Sequence, residues 1–332
     1  MNSPQLIDQF DRTIRYLRLS VTDRCNLRCT SCMAEDMTFL PKSKVLSLEE
    51  MAWVSRAFVE LGVEKIRLTG GEPLVRNGIV DLASSISALP GLRELVMTSN
   101  GVLLDKFAQP LVDAGVSRIN ISIDSLRADR FKTLTRFGSL DDVLRGIEAA
   151  KSAGFARIKL NAVILKGIND DEVLDLARFA VAHGLDISYI EEMPLGEIDG
   201  HLRTETGYTS QSIREQLEQE LSLQESDFHD PASGPSRYLN VADSQTRIGF
   251  ISPMSHNFCA SCNRVRVTAE GQLLLCLGNE HSLDLKSIVR QHPGDLDVLK
   301  QAIIGSMARK PEKHEFDPND ITIMRHMSAT GG

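Results

Sequence analysis

The sequence predicts an α/β protein: an incomplete (βα)6 barrel of the TIM type, with its open side closed by a C-terminal segment. Three observations predict it. Through the first two-thirds of the 332 residues, short β-rich runs alternate with longer helical patterns, as in a parallel sheet with right-handed crossovers. The polar or glycine-rich segments TDRCNLRC, TGGEP, TSNG, SIDS and EEMPLG each follow a strand, and that rim of an α/β barrel carries the chemistry. The units number six where a full barrel has eight, and the remaining chain is available as a cover. Residues 1–222 then form the barrel and 223–332 the C-terminal region.

The elements follow in order. Tyr16–Val21 is the first strand. A helix over Leu48–Leu61 begins at an N-capping Ser47, with Glu50 as its capping-box partner. Lys65–Thr69 is a strand ending in the turn Gly70-Gly71-Glu72-Pro73. Helix Ile79–Leu89, strand Glu94–Thr98, helix Leu103–Ala114 and strand Arg118–Ile123 come next. Helix Asp141–Ala153, strand Ala156–Ile164, helix Asp170–His183 and strand Ile187–Glu191 complete the six units. Gly196–Gly207 reads as a loop, Gln211–Leu221 as a helix and Gln224–Ser236 as a linker. Arg264–Thr268 and Gln272–Leu277 read as a hairpin around Ala269-Glu270-Gly271.

Composition narrows the function classes. With 42 % hydrophobic and 25 % charged residues the chain can bury a large core. Its net charge of −8 makes it a poor nonspecific nucleic-acid binder, which needs a basic field. No apolar run reaches membrane-spanning length and the N-terminus has no apolar signal core. Cysteines grouped for metal rather than disulfides point to a reducing, cytoplasmic compartment.

Six cysteines fall into two groups of three. Cys25, Cys29 and Cys32 are spaced C-x3-C-x2-C. Such a loop can wrap three thiolates around one face of a 4Fe-4S cube. Three ligands leave the fourth iron open, whereas electron carriers use four cysteines. Structural zinc takes four ligands, and no further His or Cys lies close by. This spacing, just after an apolar strand, resembles the radical S-adenosylmethionine superfamily. The resemblance implies that the open iron holds S-adenosylmethionine, which one electron cleaves to a 5'-deoxyadenosyl radical.

Cys259, Cys262 and Cys276 form the second group, and the hairpin would return Cys276 to the other two. Zinc is open here, with His256 or His281 as a fourth ligand. A chain already built for one cluster, carrying a second incomplete triad, favours a second cluster. Its free iron would then face a substrate.

At nearly full length the chain resembles the GTP 3',8-cyclases of molybdenum cofactor biosynthesis. The resemblance is carried by YLRLSVTDRCNLRCTSCM, EKIRLTGGEPLVR, SNG, INISIDSL, IEEMP, FCASCNRVRVTAEGQLLLCL and the terminal Gly331-Gly332. It implies two 4Fe-4S clusters, S-adenosylmethionine, and a reaction joining ribose C3' of GTP to guanine C8. The first triad would hold the radical-generating cluster and the second triad the GTP-side cluster. Gly71, Ser122 and Met193 would line the S-adenosylmethionine site, with Ser31 offering its backbone to the adenine. Arg18, Arg67, Thr98, Lys159, Arg264 and Arg266 would face GTP. The double glycine would reach the active site. The resemblance also implies a one-electron donor such as flavodoxin and a downstream cyclic pyranopterin monophosphate synthase; it leaves the oligomeric state open, a homodimer included.

The residues carry part of this independently. A triphosphate needs cations gathered locally in an acidic chain. Arg264 and Arg266 are two apart, hence on one strand face, and Arg18 and Arg67 alternate with apolar neighbours. Glycines at 70 and 71 let backbone approach a ligand, and backbone carbonyls or Glu72 could receive an ammonium. The chain departs from the family in Ser31, where a Tyr is usual, and Ser188, where an Arg is usual. Two rival readings are a radical enzyme for another nucleotide or a peptide, and a non-catalytic zinc-stabilised binding protein.

Overall fold

The structure is a computed structural model that describes residues 5–196, 203–228, 230–317, 319 and 323–331. Six parallel strands run in chain order: β1 (Tyr16–Ser20), β2 (Lys65–Thr69), β3 (Glu94–Ser99), β4 (Val116–Ser122), β5 (Arg157–Val163) and β6 (Asp186–Ile190). The crossovers are α1 (Leu48–Glu60), α2 (Ile79–Ser87), α3 (Leu104–Asp113), α4 (Ala128–Thr135), α5 (Leu140–Ala153) and α6 (Val173–His183). Ser47 and Glu50 form the expected capping box at α1, a feature worth about 1 kcal/mol.

Two C-terminal strands extend both edges of this sheet. Beyond α7 (Arg203–Thr206) and α8 (Ser210–Leu217) come β7 (Leu223–Glu225), β8 (Arg237–Val241), β9 (Arg247–Ile251), β10 (Arg264–Val267), β11 (Gln272–Leu274) and β12 (Ser282–Asp284). β9 joins β6 in parallel, and β10 joins β1 in parallel. The open sides of the six-stranded unit are thus taken up by the chain's last third, which adds the antiparallel pairs β7–β8–β9 and β10–β11–β12 at the margins. Among the described residues no ladder joins the two ends of this sheet. Helices α9 (Leu285–Gln291), α10 (Leu296–Ser306) and the short α11 (Met327–Thr330) complete the chain.

Strand alternation decides what each face does. Leu17 and Leu19, Ile66 and Leu68, Ile119 and Ile121, and Leu160 and Ile187 belong to one buried core. They meet Met51, Val54 and Phe58 of α1, Leu111 of α3, Ile147 of α5 and Leu176 of α6 in the same cluster. The opposite face carries Arg18, Arg67, Asn120 and Lys159, which line a cavity. An ordinary barrel fills its interior with branched apolar side chains. This interior is a chamber instead.

Several segments differ from the sequence-based expectation. Gln224–Ser236 is not wholly linker, because β7 occupies its start. Residues 170–172 form a 3-10 turn before α6. The expected loop Gly196–Gly207 contains the single turn α7, and its residues 197–202 lie outside the described residues. The strand before Cys276 stops at Leu274. Helix α4 escaped notice because ADRFKTLT is short and weakly apolar. Strand β9 carries Gly249 at its centre, which blunts a strand signal. No described helix is long and apolar enough to cross a membrane.

Candidate active site

The sixteen residues assigned from the sequence to the two clusters, S-adenosylmethionine and GTP all line one cavity of about 350 Å³. Cys25, Cys29, Cys32 and Ser31 enter from the loop after β1, Gly71 from the turn after β2, and Thr98 from β3. Ser122, Lys159 and Met193 come from β4, β5 and the segment after β6. Arg18 on β1, Arg67 on β2, and Arg264 and Arg266 on β10 supply the arginines, with Cys259, Cys262 and Cys276 beside them. The two candidate zinc-ligand histidines, His256 and His281, do not line it.

The first cysteine loop is locked to the turn after β2. Gly71 N donates to Thr22 O at 2.8 Å and Glu72 N to Arg24 O at 2.8 Å. A Cβ on Gly71 would sit 2.6 Å from the Arg24 carbonyl carbon and 2.7 Å from Asp23 O. Glycine is therefore a packing requirement here. Buried Glu72 accepts from Leu74 N, Ser99 Oγ and Asn100 N, and burial outweighs these donors to lift its carboxyl to about 7. Burial likewise raises Asp124 to about 6.

All six cysteines are free thiols. Burial pushes Cys25 and Cys29 up and Cys32 up to about 12; the Glu72 charge adds to the rise at Cys25, and neighbouring thiolates add to it at Cys29 and Cys32. Three soft donors that resist ionisation side by side fit a polynuclear iron site that neutralises them. Among the described residues no group of three His, Cys, Asp or Glu closes on a single metal ion. At the second triad burial raises Cys262, but Arg264 and Lys310 outweigh it and bring the thiol to about 7. Burial raises Cys276 despite Lys310. Both triads offer the thiolate sets an iron–sulfur cluster takes.

The cations form rows across neighbouring strands. Arg266, Arg18 and Arg67 are register partners across β10, β1 and β2; Arg264, Tyr16 and Lys65 form the next row. Arg67 donates to Tyr16 Oη at 2.5 Å, Thr98 Oγ1 at 2.9 Å and Met97 O at 3.1 Å. Lys159 donates to Tyr238 Oη at 3.1 Å. Lys65 and Arg118 share Glu94, while Arg157 and Arg247 share Asp186. Among the described residues no carboxylate pairs with Arg67, Lys159, Arg264 or Arg266. Burial drives Arg18 down to about 10 and holds Arg266 well below its ordinary value, with neighbouring arginines adding to both shifts. Burial would raise Tyr16, yet Arg67, Arg18 and Lys65 outweigh it and pull it to about 7. Burying several like charges costs several kcal/mol per ion unless counter-charge arrives. The chamber is thus poised for a polyanion.

Sequence reasoning missed Tyr16, Lys65, Arg118, Arg157 and Arg247, all of which line the cavity. The signal was present: Tyr16, Lys65 and Arg157 each lie two residues from a recognised inward residue on the same strand. Ser188 does not line the cavity. It is fully buried, and its hydroxyl meets Ser236 Oγ at 2.9 Å.

The C-terminus reaches this chamber. Gly331 O accepts from Arg266 and from Arg18 at 3.5 Å, and Thr330 O from Arg266 at 3.4 Å. Gly331 has φ +78°, and a Cβ there would fall onto Thr69 Cγ2. Gly332, the second half of the expected pair, lies outside the described residues.

Comparison with known proteins agrees with this architecture. Residues 19–180 match the profile of the Radical SAM superfamily and residues 185–316 that of Molybdenum Cofactor Synthesis C. The chain is 60% identical to a GTP 3',8-cyclase of Pseudomonas putida (strain W619), over 100% of this chain and 99% of the relative. It is 56% identical to a GTP 3',8-cyclase of Saccharophagus degradans over the full length of both. Streptococcus suis SuiB bound to S-adenosylmethionine shares the fold, with TM-score 0.61 and 14% identity, over 87% of this chain and 67% of that one. The chain belongs to the GTP 3',8-cyclase family within the radical S-adenosylmethionine superfamily.

Proposed function

We propose that this protein converts GTP to 3',8-cyclo-7,8-dihydroguanosine triphosphate in the first step of molybdenum cofactor biosynthesis. The observation that carries the reading is one cavity lined by two three-cysteine sets and by Arg67, Arg264 and Arg266, with which no carboxylate among the described residues pairs. Cys25, Cys29 and Cys32 would hold one 4Fe-4S cluster, and Cys259, Cys262 and Cys276 the other. With S-adenosylmethionine on the first, the bound group would supply a 5'-deoxyadenosyl radical able to take the ribose 3' hydrogen.

The protein's own work is binding and orientation. Gly71, Ser122, Met193 and the Ser31 backbone border the sulfonium cofactor. Backbone carbonyls of the Gly70-Gly71 turn would receive its ammonium, while the buried Glu72 carboxyl, held by Leu74 N, Ser99 Oγ and Asn100 N, braces that turn. Arg18, Arg67, Thr98, Lys159, Arg264 and Arg266 face GTP, each charge-assisted hydrogen bond contributing about 1.5–3 kcal/mol. The division of labour follows the chain in part, with radical generation on residues 1–222, the second cluster on 223–332 and the GTP-facing residues drawn from both. A one-electron donor such as flavodoxin reduces the protein in the cytoplasm, and a cyclic pyranopterin monophosphate synthase takes the product.

Anaerobic incubation with GTP, S-adenosylmethionine and a reductant tests this. Both 5'-deoxyadenosine and a cyclised nucleotide are expected; 5'-deoxyadenosine with GTP left unchanged would count against it. Gly331→Val should drive the tail from Thr69 and reduce cyclisation at least tenfold while about eight irons per chain remain bound. Wild-type turnover in that variant would show that the tail plays no part.

A further inference from the structure

Lys310 is 1% exposed, among the most deeply buried large side chains in the molecule. It follows α10 in sequence and reaches across to the second cysteine triad. Its Nζ donates to Leu275 O at 2.5 Å, Arg264 O at 3.2 Å and Cys262 Sγ at 3.5 Å. Three acceptors engage all three N–H bonds of an ammonium, and a neutral amine has only two. Among the described residues no carboxylate pairs with it. Leu275 immediately precedes Cys276, so one charged group holds both Cys262 and the approach to Cys276. Nearby, Arg12 donates to Cys259 O at 2.9 Å and to Pro311 O and Glu312 O at 2.7 Å each. The segment that carries Lys310 is thereby fastened to the third cysteine's loop.

An unpaired buried ammonium is costly unless an anion sits beside it. Among the described residues, the only anion this geometry offers Lys310 is the thiolate set with whatever it binds. We propose that Lys310 is the internal counter-charge of the second triad, a positioning residue whose N–H···S contact makes the cluster held there easier to reduce. The inference rests on reading Cys259, Cys262 and Cys276 as cluster ligands. Hydrogen bonds to sulfur and local charge are the protein's main means of setting a cluster's potential. A fixed positive charge stabilises the reduced, more negative state.

The test uses the full chain with Cys25, Cys29 and Cys32 replaced by Ala, so that only the second triad loads. Its midpoint is measured by electron paramagnetic resonance during a redox titration, without GTP. Adding Lys310→Met or Lys310→Gln should raise the oxidised-to-reduced ratio at fixed potential at least tenfold, a fall of about 59 mV for one electron. Loss of the second cluster alone, in Lys310 variants of the otherwise unaltered chain that still load the first, also supports the role. An unchanged midpoint with full iron overturns it, as does loss of both clusters together, which marks Lys310 as a folding residue only. A parent variant that takes up no iron brings down the reading of the triad, and Lys310's role with it.

Discussion

Gly71→Ala is expected to strip the first cluster from the protein and leave the second in place. Iron per chain should fall to about half of the two-cluster value, with radical generation lost. The cause is local and steric. Gly71 N and Glu72 N are bonded to Thr22 O and Arg24 O, which clamps the turn after β2 against the start of the cysteine loop. The added methyl would press on the Arg24 and Asp23 carbonyls, backbone atoms that cannot rotate aside. Relief requires the two loops to part, and Cys25 follows Arg24 directly. Strain of this kind costs about 1–3 kcal/mol or more, paid at the loop rather than at the apolar core outside the sheet. The melting transition should therefore move far less than the iron content. Full iron in this variant would show that the loop tolerates separation.

Arg266→Met should weaken GTP binding by about tenfold to a hundredfold while both clusters stay loaded, the equivalent of one charge-assisted contact. Arg266 sits in the row with Arg18 and Arg67, has no carboxylate partner among the described residues, and also holds the Thr330 and Gly331 carbonyls. Its loss removes a tether for the tail and, on the proposed function, a contact to GTP. A matched change at Arg145, exposed on α5 and paired with Asp142, should leave affinity unchanged. Isothermal titration of anaerobic protein with GTP separates the two variants. Equal affinity in Arg266→Met and wild type would place the nucleotide elsewhere.

Much of this site is written in short stretches of sequence. Both cysteine spacings are local, and the period-2 pattern of KIRLT and RVRV sends Arg67, Arg264 and Arg266 to one face whatever the rest of the chain does. Lys65–Thr69 appears in the structure with the expected bounds for the same reason. What the sequence hides is set by distance. The parallel pairing of β10 with β1 joins residues nearly 250 positions apart, and only that register puts Arg266 beside Arg18. The salt links of Glu94 and Asp186 engage Lys65, Arg118, Arg157 and Arg247, so which cations are without a carboxylate is a tertiary fact. Lys310 reads as an ordinary surface lysine until the fold buries it against Cys262. The family's usual arginine at Ser188 is a missing active-site cation; the structure gives that position a buried hydroxyl on the inward strand face, bonded to Ser236, which lines the chamber.

The account stands on a single chamber in which the nucleotide's sugar lies within reach of the radical made at the first triad. GTP carrying deuterium at ribose C3' tests it most directly, with 5'-deoxyadenosine analysed by mass spectrometry after anaerobic turnover. One deuterium in the recovered 5'-deoxyadenosine is the predicted result. Product formation with unlabelled 5'-deoxyadenosine would contradict it.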